Sequence, residues 1–401
     1  MRRLFSAVAV LASTLALLAA LVHLNPFDPI CDALDRLFGA APKWTQVTNL
    51  YRDPRTQEVT RGDDPVGSLG VLKDYWHDCS GVRRVVFFGN SQMHAISLAP
   101  GEWPVSTPEK TYVDLVVDDL GRADPNKRLY RLSSSDMSYP EVLWELSYML
   151  DDPDLRPQTV VVQMNYQAFW SGGIRDSMLP MLRRQTFRTR IETLADSGAF
   201  YAAAYIDAMG RYDRHFVNAA SGRGLPGNSG PSPVWSLPHT PGYEIETRVR
   251  SWLDRISPEQ HRADLKESFE NVLYRGRLYF LQLKPSTARS ISGSRLMASR
   301  SAVDSIAALC TANKIRLVLF HAPVNPHVSL YRTVEDQQSY RSFVADIAEK
   351  YRLQLFDFEQ SIDAKYWGHL LNSPDPLHLG RTGHRLMARQ VIAAMNSAEK
   401  N

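Results

Sequence analysis

A serine, an aspartate and a histidine occupy positions from which nucleophilic catalysis can be assembled. Ser91 follows the apolar run RRVVFFGN, and Asp375 and His378 lie three residues apart in SPDPLHLGRTGH near the carboxyl end. A serine hydroxyl is a poor nucleophile until a base takes its proton, and the base must be held in the right tautomer. We therefore predict that His378 faces Ser91 as the base, while Asp375 accepts a hydrogen bond from the other imidazole nitrogen.

Two further residues are candidates for stabilising the oxyanion that forms when a serine attacks an ester. Asn165 ends the apolar run QTVVVQMN, from which its amide can donate hydrogen bonds beside the backbone N–H of Ser91. Ser135 or Asp136, in LSSSDMSYP, is a candidate for one more backbone N–H. His94, three residues after Ser91, is an alternative base, but nothing in its surroundings orients it, so we rank it below His378.

Each of these residues also has a structural interpretation. Ser91 at a strand-to-helix turn can be a helix cap, Asn165 can satisfy backbone groups, and an Asp-x-x-His segment can be a solvated loop. The three blocks in this order favour chemistry over those interpretations. No G-x-S-x-G surrounds Ser91, which counts against the nucleophile elbow of α/β-hydrolases. No cysteine or histidine cluster has zinc-site spacing, so we predict neither a metal nor a cofactor.

The elements that must position these residues alternate between strands and helices. Short apolar runs lie at 83–90, 127–133, 158–165, 315–321 and 353–358. Helical stretches separate most of them, a pattern that predicts an α/β fold with a parallel sheet of about five strands and flanking helices. Ligands of such sheets bind beyond the carboxyl ends of the strands, where the candidate residues lie.

The blocks Gly89-Asn90-Ser91, Asn165 and DPLH, in this order, resemble the SGNH (GDSL-like) hydrolase superfamily. The resemblance covers about residues 83–396 and implies a flavodoxin-like sheet and a serine active site. The chain departs from the family pattern where Asn90 replaces the usual aspartate. The second block, LSSSDMSYP, also lacks the usual glycine.

The amino end is typical of a membrane anchor. Residues 4–24 contain no Asp, Glu, Lys or Arg, and about 20 apolar residues suffice to cross a bilayer. Arg2 and Arg3 would keep the start of the chain in the cytoplasm and place the rest outside. A cleaved signal peptide is the alternative, but no good small-x-small site follows. We predict an uncleaved transmembrane anchor over residues 1–25.

The remaining chain falls into three parts. We predict a stalk and lead-in segment at 26–80 and the α/β domain at 81–401. A largely helical insertion at 170–298 would form a cap or partner-binding subdomain, or only extra helical packing. The start of the insertion is locally basic, with Arg183, Arg184, Arg188 and Arg190. Such a run is usually a solvated face, and contact with lipid headgroups or an anionic glycan is the less favoured interpretation.

Charge and cysteine content exclude some classes of protein. Lys and Arg number 46 against 43 Asp and Glu, and this balance does not argue for a nucleic-acid partner. Three cysteines are too few for a disulfide framework. We expect Cys310 to be a buried thiol, while Cys31 and Cys79 can pair only in an oxidising compartment.

Together, the anchor and the blocks resemble the membrane-associated acyltransferase branch of the superfamily. That branch includes the D-alanyl transfer protein of teichoic acid modification and the alginate O-acetylation proteins. The resemblance implies a single-pass protein of the bacterial inner membrane with a periplasmic domain, working beside a membrane-bound O-acyltransferase. It implies O-acylation of a cell-envelope glycan or polymer through an acyl-serine. An esterase or deacylase with the same triad, or a non-catalytic glycan-binding partner, are the alternatives.

Overall fold

The chain divides into two units, and the larger one contains every element described below. It comprises Pro42–Tyr212 and Ser286–Asn401, whereas Met1–Ala41 and Asp213–Pro285 form the smaller unit. Apart from a few isolated positions, the computed structural model describes residues 50–52, 59–61, 65–77, 81–97, 110–124, 126–134, 137–169, 172–214, 293–327, 333–370 and 373–398. The predicted anchor, Cys31, Cys79, Ser135 and most of the 170–298 segment lie outside these residues.

A five-stranded parallel sheet forms the centre of the larger unit, as the alternation predicts. Its strands are β1 (Arg83–Gly89), β2 (Lys127–Ser133), β3 (Thr159–Met164), β4 (Arg316–His321) and β5 (Gln354–Asp357). The spatial order is β2-β1-β3-β4-β5, and all neighbours run parallel. This is the flavodoxin-like order, in which the connections reverse direction between β1 and β3.

Helices cover both faces of the sheet, which explains why its strands are nearly continuous apolar runs. The helices of the unit are α1 (Pro65–His77), α2 (Tyr112–Ala123), α3 (Tyr139–Leu150), α4 (Gln185–Ala195), α5 (Ala202–Tyr212), α6 (Gly293–Ala312), α7 (Val334–Tyr351) and α8 (Arg381–Ala398). On one face, Val116 of α2 and Met387 of α8 share a buried cluster with Phe87 and Val161. Burial of each such side chain stabilises the fold by about 1.5–3 kcal/mol.

The helices on either side of β2 in the chain, α2 before it and α3 after it, both begin at capping boxes. Ser138 accepts a hydrogen bond from the Glu141 N–H at the start of α3, and Glu141 bonds back to the Ser138 N–H. Thr111 and Asp114 form the same reciprocal pair at α2. Both boxes satisfy N–H groups that a helix start leaves without intrahelical partners.

The structure corrects two sequence interpretations. The predicted stalk and lead-in segment at 26–80 contains α1, whose Leu69, Leu72 and Trp76 are buried, so its last part belongs to the α/β unit. The Asp-x-x-His segment, expected to be a loop, is strand β7 (Ser373–Leu379), which pairs antiparallel with β6 (Trp367–Leu370). A separate short hairpin pairs residues 50–52 with 59–61.

The described start of the predicted insertion packs against helix α3. The Trp144 ring makes edge contacts with Phe187 of α4 and Tyr205 of α5, at centroid distances of 5.4 and 5.2 Å. These contacts agree with extra helical packing for residues 172–212, which the structure assigns to the same unit as the sheet. The boundaries and role of the rest of the insertion stay a prediction.

Three arginines of the basic run have acidic partners. Arg184 pairs with Asp152 at 3.1 Å, Arg190 with Asp151 at 3.4 Å, and Arg188 with Glu192 at 3.1 Å. Because these carboxylates offset much of the local positive charge, the run offers less attraction to lipid headgroups or an anionic glycan than its sequence indicates.

Cys310 is fully buried on α6, as expected, and burial raises the pKa of its thiol to about 12. None of the described helices is long and apolar enough to cross a bilayer. Residues 4–24 are not among the described residues, so the anchor stays a prediction.

Candidate active site

Ser91 stands at the end of β1, on a short 3-10 turn formed by Ser91–Met93. Asn90 caps this turn, because its side-chain oxygen accepts a hydrogen bond from the Gln92 N–H at 3.1 Å. Gly89 is closely packed, since a Cβ there would lie 2.6 Å from both Gln163 Oε1 and Met93 Sδ and would require those side chains to move. Asn90 therefore carries out the capping that was the structural alternative for Ser91, and the Ser91 hydroxyl is left for other partners.

The structure brings Ser91, His378 and Asp375 into one line. His378 Nε2 lies 3.0 Å from Ser91 Oγ, and His378 Nδ1 lies 3.1 Å from Asp375 Oδ2. A carboxylate can only accept, so the proton of the imidazole is on Nδ1 and the Nε2 lone pair faces the serine hydroxyl. This is the arrangement in which a histidine can take a proton from serine.

Asp375 is held as a charged carboxylate although it is fully buried. Its Oδ1 accepts hydrogen bonds from the N–H groups of Leu377 at 2.8 Å and His378 at 3.0 Å. Burial alone would raise the pKa of Asp375, but the adjacent His378 imidazole and these hydrogen bonds hold that pKa below its usual value. An ionised Asp375 can stabilise a positive charge on His378 during a reaction.

Asn165 is level with Ser91 on the neighbouring strand. Phe88 of β1 pairs with Val162 of β3, so three more residues along each strand lead to Ser91 and Asn165. These two strands flank the point where the connections of the sheet reverse direction, and ligands of open α/β sheets bind in the crevice there. Ser135, the other oxyanion candidate, lies outside the described residues.

The amide of Asn165 has a defined orientation. Its Oδ1 accepts from the Gln167 N–H at 2.9 Å, and its Nδ2 donates to Gln92 Oε1 at 3.4 Å. The Asn165 N–H itself donates to the Tyr139 hydroxyl at 2.8 Å. The described residues give Nδ2 no second acceptor, so its other hydrogen can serve a developing oxyanion.

Two other buried histidines, His94 and His321, have structural partners. His94 is buried with its Nδ1 3.2 Å from Ser133 Oγ, and burial, followed by the positive charge of Arg131, holds the pKa of His94 well below its usual value. His321 Nδ1 lies 2.9 Å from the Tyr340 hydroxyl. His378 Nε2 thus faces Ser91, whereas His94 Nδ1 faces Ser133. Within the described part of the chain, no cluster of His, Cys, Asp or Glu is arranged to hold a metal.

Four buried residues that support the site escape sequence analysis. Gln92 and Gln163 bond to each other at 2.8 Å, and Asn325 donates to the Asp375 carbonyl at 3.0 Å. His384, in the first turn of α8, bridges the start of α2 and the segment after Ser91. Only Gln163 carries a sequence signal, because a glutamine interrupts the apolar run QTVVVQMN.

No family model and no curated protein sequence matches this chain. A psychrotrophic esterase from Pseudoalteromonas sp. is 11% identical over 80% of this chain and 100% of its own, with a TM-score of 0.36. A GDSL-like lipase from Bacteroides thetaiotaomicron is 13% identical over 82% of this chain and 99% of its own, with a TM-score of 0.31. An aryl esterase from M. smegmatis is 9% identical over 79% and 99%, with a TM-score of 0.33.

Proposed function

We propose that this chain is a serine enzyme of the SGNH (GDSL-like) type that carries an acyl group on Ser91. The observation that carries the proposal is the hydrogen-bonded line from Ser91 through His378 to the buried carboxylate of Asp375, at 3.0 and 3.1 Å. A hydroxyl so close to a neutral imidazole nitrogen, with an ionised carboxylate behind it, has the parts that acyl transfer needs.

The first half of the reaction forms the acyl-enzyme. Ser91 Oγ attacks the carbonyl carbon of an ester while His378 Nε2 takes the hydroxyl proton, and Asp375 stabilises the resulting imidazolium. The Ser91 N–H and Asn165 Nδ2 donate to the oxyanion. The carbon–oxygen bond to the leaving alcohol then breaks, and His378 returns its proton to that alcohol.

The second half returns the enzyme to its starting state. An acceptor hydroxyl loses its proton to His378 and attacks the acyl carbon, the bond to Ser91 Oγ breaks, and His378 protonates the serine. With a sugar hydroxyl the enzyme is an O-acyltransferase, and with water it is an esterase. We favour transfer to a cell-envelope glycan or polymer, because the amino end resembles a membrane anchor and the blocks resemble those of the acyltransferase branch.

The same features support a location and a partner for the transferase. An apolar segment at 4–24 preceded by two arginines is consistent with a single pass through a bacterial inner membrane and a periplasmic catalytic domain. We propose a membrane-bound O-acyltransferase as the source of the acyl group. The esterase stays the second candidate, since the triad accommodates water as well as a sugar hydroxyl.

The test is acyl-enzyme formation by the full chain in detergent, with p-nitrophenyl acetate as the acyl donor. Intact mass spectrometry should reveal one acetyl group on the wild type, and peptide mapping should locate it on Ser91. Ser91→Ala should remove both the adduct and the ester turnover. Ser197→Ala is the matched control, because Ser197 is exposed and its hydroxyl bonds to backbone groups of its own helix end, donating to the Leu194 carbonyl and accepting from the Ala199 N–H.

Acceptor dependence separates the two enzyme candidates. Turnover that rises with added glycan, with acetyl groups recovered on the glycan, indicates a transferase. Turnover that ignores the glycan and releases acetate indicates an esterase. A folded wild type that forms no adduct and hydrolyses no ester would overturn the enzyme proposal in favour of a binding protein.

A further inference from the structure

Gln92, the residue after the nucleophile, is a polar side chain that is only 1% exposed. Its amide lies between the nucleophile turn, strand β3 and the segment that follows β4. From these contacts we infer that Gln92 is a positioning residue, which holds the Asn165 amide in the orientation that an oxyanion donor needs. The inference rests on the proposed function, because it assigns a role in the same acyl-transfer site.

The backbone fixes which end of the Gln92 amide faces Asn165. Gln92 Nε2 donates to the Pro323 carbonyl at 2.7 Å. Since a carbonyl can only accept, the amide nitrogen must occupy that side and the oxygen must occupy the other. Gln92 Oε1 is therefore presented to strand β3 as an acceptor.

Asn165 is fixed from both of its ends as a result. Gln92 Oε1 can receive only a donor, so it selects Nδ2 of Asn165, at 3.4 Å. On the opposite side the Gln167 N–H selects Oδ1. Rotation of the Asn165 amide by half a turn would break both contacts and present an oxygen, not an N–H, to an incoming oxyanion. Gln92 thus acts on catalysis through Asn165 and not by touching the substrate.

Gln163 joins the same network and ties it to the nucleophile turn. Its Nε2 donates to Gln92 Oε1 at 2.8 Å and lies 3.1 Å from the Tyr112 hydroxyl. Its Oε1 accepts from the Asn90 N–H at 3.3 Å. Hydrogen bonds in such a buried network strengthen one another. The turn that carries Ser91 and the strand end that carries Asn165 are consequently coupled through two glutamines.

A purely structural role for Gln92 predicts a different result, and a double-mutant cycle separates the two. If Gln92 acts through Asn165, its replacement should have little further effect once Asn165 is already gone. If it only attaches the Ser91 turn to Pro323, the two losses should multiply. Asn325 supplies the matched control, because it is also a buried amide that donates to a backbone carbonyl, but on the Asp375 side of the site.

The experiment measures kcat and KM for p-nitrophenyl acetate with the full chain in detergent. We expect Asn165→Ala to lower kcat by about 100- to 1000-fold. Gln92→Met, which keeps the length of the side chain, should lower kcat by about 10- to 100-fold with little change in KM. The Gln92→Met/Asn165→Ala double variant should match Asn165→Ala alone. Asn325→Leu should instead multiply with Asn165→Ala.

Multiplicative effects of Gln92→Met and Asn165→Ala, or a Gln92→Met variant with wild-type kcat, would overturn the inference. Gln92→Glu guards against a Met variant that fails to fold, since burial favours its protonated form, which keeps an O–H donor for the Pro323 carbonyl and an acceptor oxygen for Asn165. Its kcat should fall less than that of Gln92→Met, and an equal or larger fall would also overturn the inference. Failure of the proposed function is distinguishable, because then the wild type itself neither turns over the ester nor is acylated on Ser91.

Discussion

Strand β7 and the first turn of helix α8 each place a buried histidine beside the nucleophile turn. The two histidines have different kinds of hydrogen-bond partner. His378 of β7 lies between two side chains, the Asp375 carboxylate and the Ser91 hydroxyl. His384 of α8 lies between two backbone groups, because its Nδ1 accepts from the Tyr112 N–H at 3.0 Å and its Nε2 donates to the Ala95 carbonyl at 3.1 Å. Both rings are held at both nitrogens.

The two histidines differ in the group that faces the lone pair of each imidazole. The Tyr112 N–H occupies the only lone pair of His384, and burial lowers the pKa of that imidazole to about 3. His384 therefore stays neutral and holds the segment after Ser91 in place. At His378 the lone pair faces a hydroxyl that can give up its proton, with a carboxylate behind the ring. Burial of a histidine is thus no guide to catalysis, whereas the identity of its two partners is.

Asp375→Asn tests the difference between the two histidines most directly, because it replaces the carboxylate partner of His378 Nδ1 with an amide. The amide can donate to Nδ1 and so favours the tautomer whose Nε2 carries the proton. We expect kcat for p-nitrophenyl acetate to fall by about 10⁴-fold, with Ser91 and His378 still present. Steady-state kinetics measures the loss, and a fall of less than tenfold would contradict the assignment of Asp375. Asp363→Asn, at an exposed position, is the control.

His384→Leu should affect stability more than chemistry. The substitution leaves the Tyr112 N–H and the Ala95 carbonyl buried without their partner, and each such group costs about 1–3 kcal/mol. We expect urea unfolding at pH 7 to reveal a loss of about 2–4 kcal/mol, while Ser91 in the folded fraction is still acylated. Complete loss of acylation in protein that remains folded would mean that His384 belongs to the catalytic machinery.

The pH dependence of folding stability tests whether His384 is neutral in the folded chain. His384 has a pKa of about 3 in the folded chain, against about 6.5 when unfolded. Between these values the unfolded state binds a proton that the folded state does not, so folding stability falls as pH is lowered through this range. The slope is about 1.4 kcal/mol per pH unit from this one group.

The measurement is the unfolding free energy at pH 7, 6 and 5 for wild type and His384→Leu. The variant lacks the titrating group, so the difference between the two proteins should shrink as the pH falls. Curves that stay parallel over this range would contradict a neutral His384 in the folded chain.

The sequence was sufficient to predict that Asp375 and His378 of β7 lie near Ser91. It was not sufficient to predict the contacts of His384 on α8. Ser91, Asn165 and the Asp375–His378 pair each follow or lie in a short local pattern, and a parallel sheet brings strand ends to one edge. The partners of His384 are 272 and 289 residues away. Gln92 meets Pro323 at a separation of 231 residues. Contacts over such distances leave no local pattern.

Two elements were missed because local signals argue against them. Helix α1 contains Gly67 and Gly70, which disfavour a helix by about 1 kcal/mol each, yet burial of Leu69, Leu72 and Trp76 makes the segment helical. Strand β7 contains two prolines, whose nitrogens cannot donate hydrogen bonds to a sheet. The prolines are tolerated because β7 belongs to a two-stranded ribbon, in which one side of each strand is unpaired. Tertiary packing decided both elements.

The smallest expected effect concerns the third buried histidine near the site, His94. Its Nδ1 lies 3.2 Å from Ser133 Oγ, and burial with the neighbouring positive charges disfavours its protonated form. Its Nδ1 faces Ser133, and an imidazole whose protonated form is disfavoured is a poor proton acceptor. Ser133→Ala should therefore cost about 1 kcal/mol of stability, the usual value of one hydrogen bond, and leave kcat within about twofold of wild type.

Thermal unfolding and ester kinetics on the same preparation measure both quantities, with Ser197→Ala as the control. A drop in kcat comparable to that of Asp375→Asn would mean that His94 and Ser133 take part in proton transfer, and the contrast between partner types would then no longer identify the base.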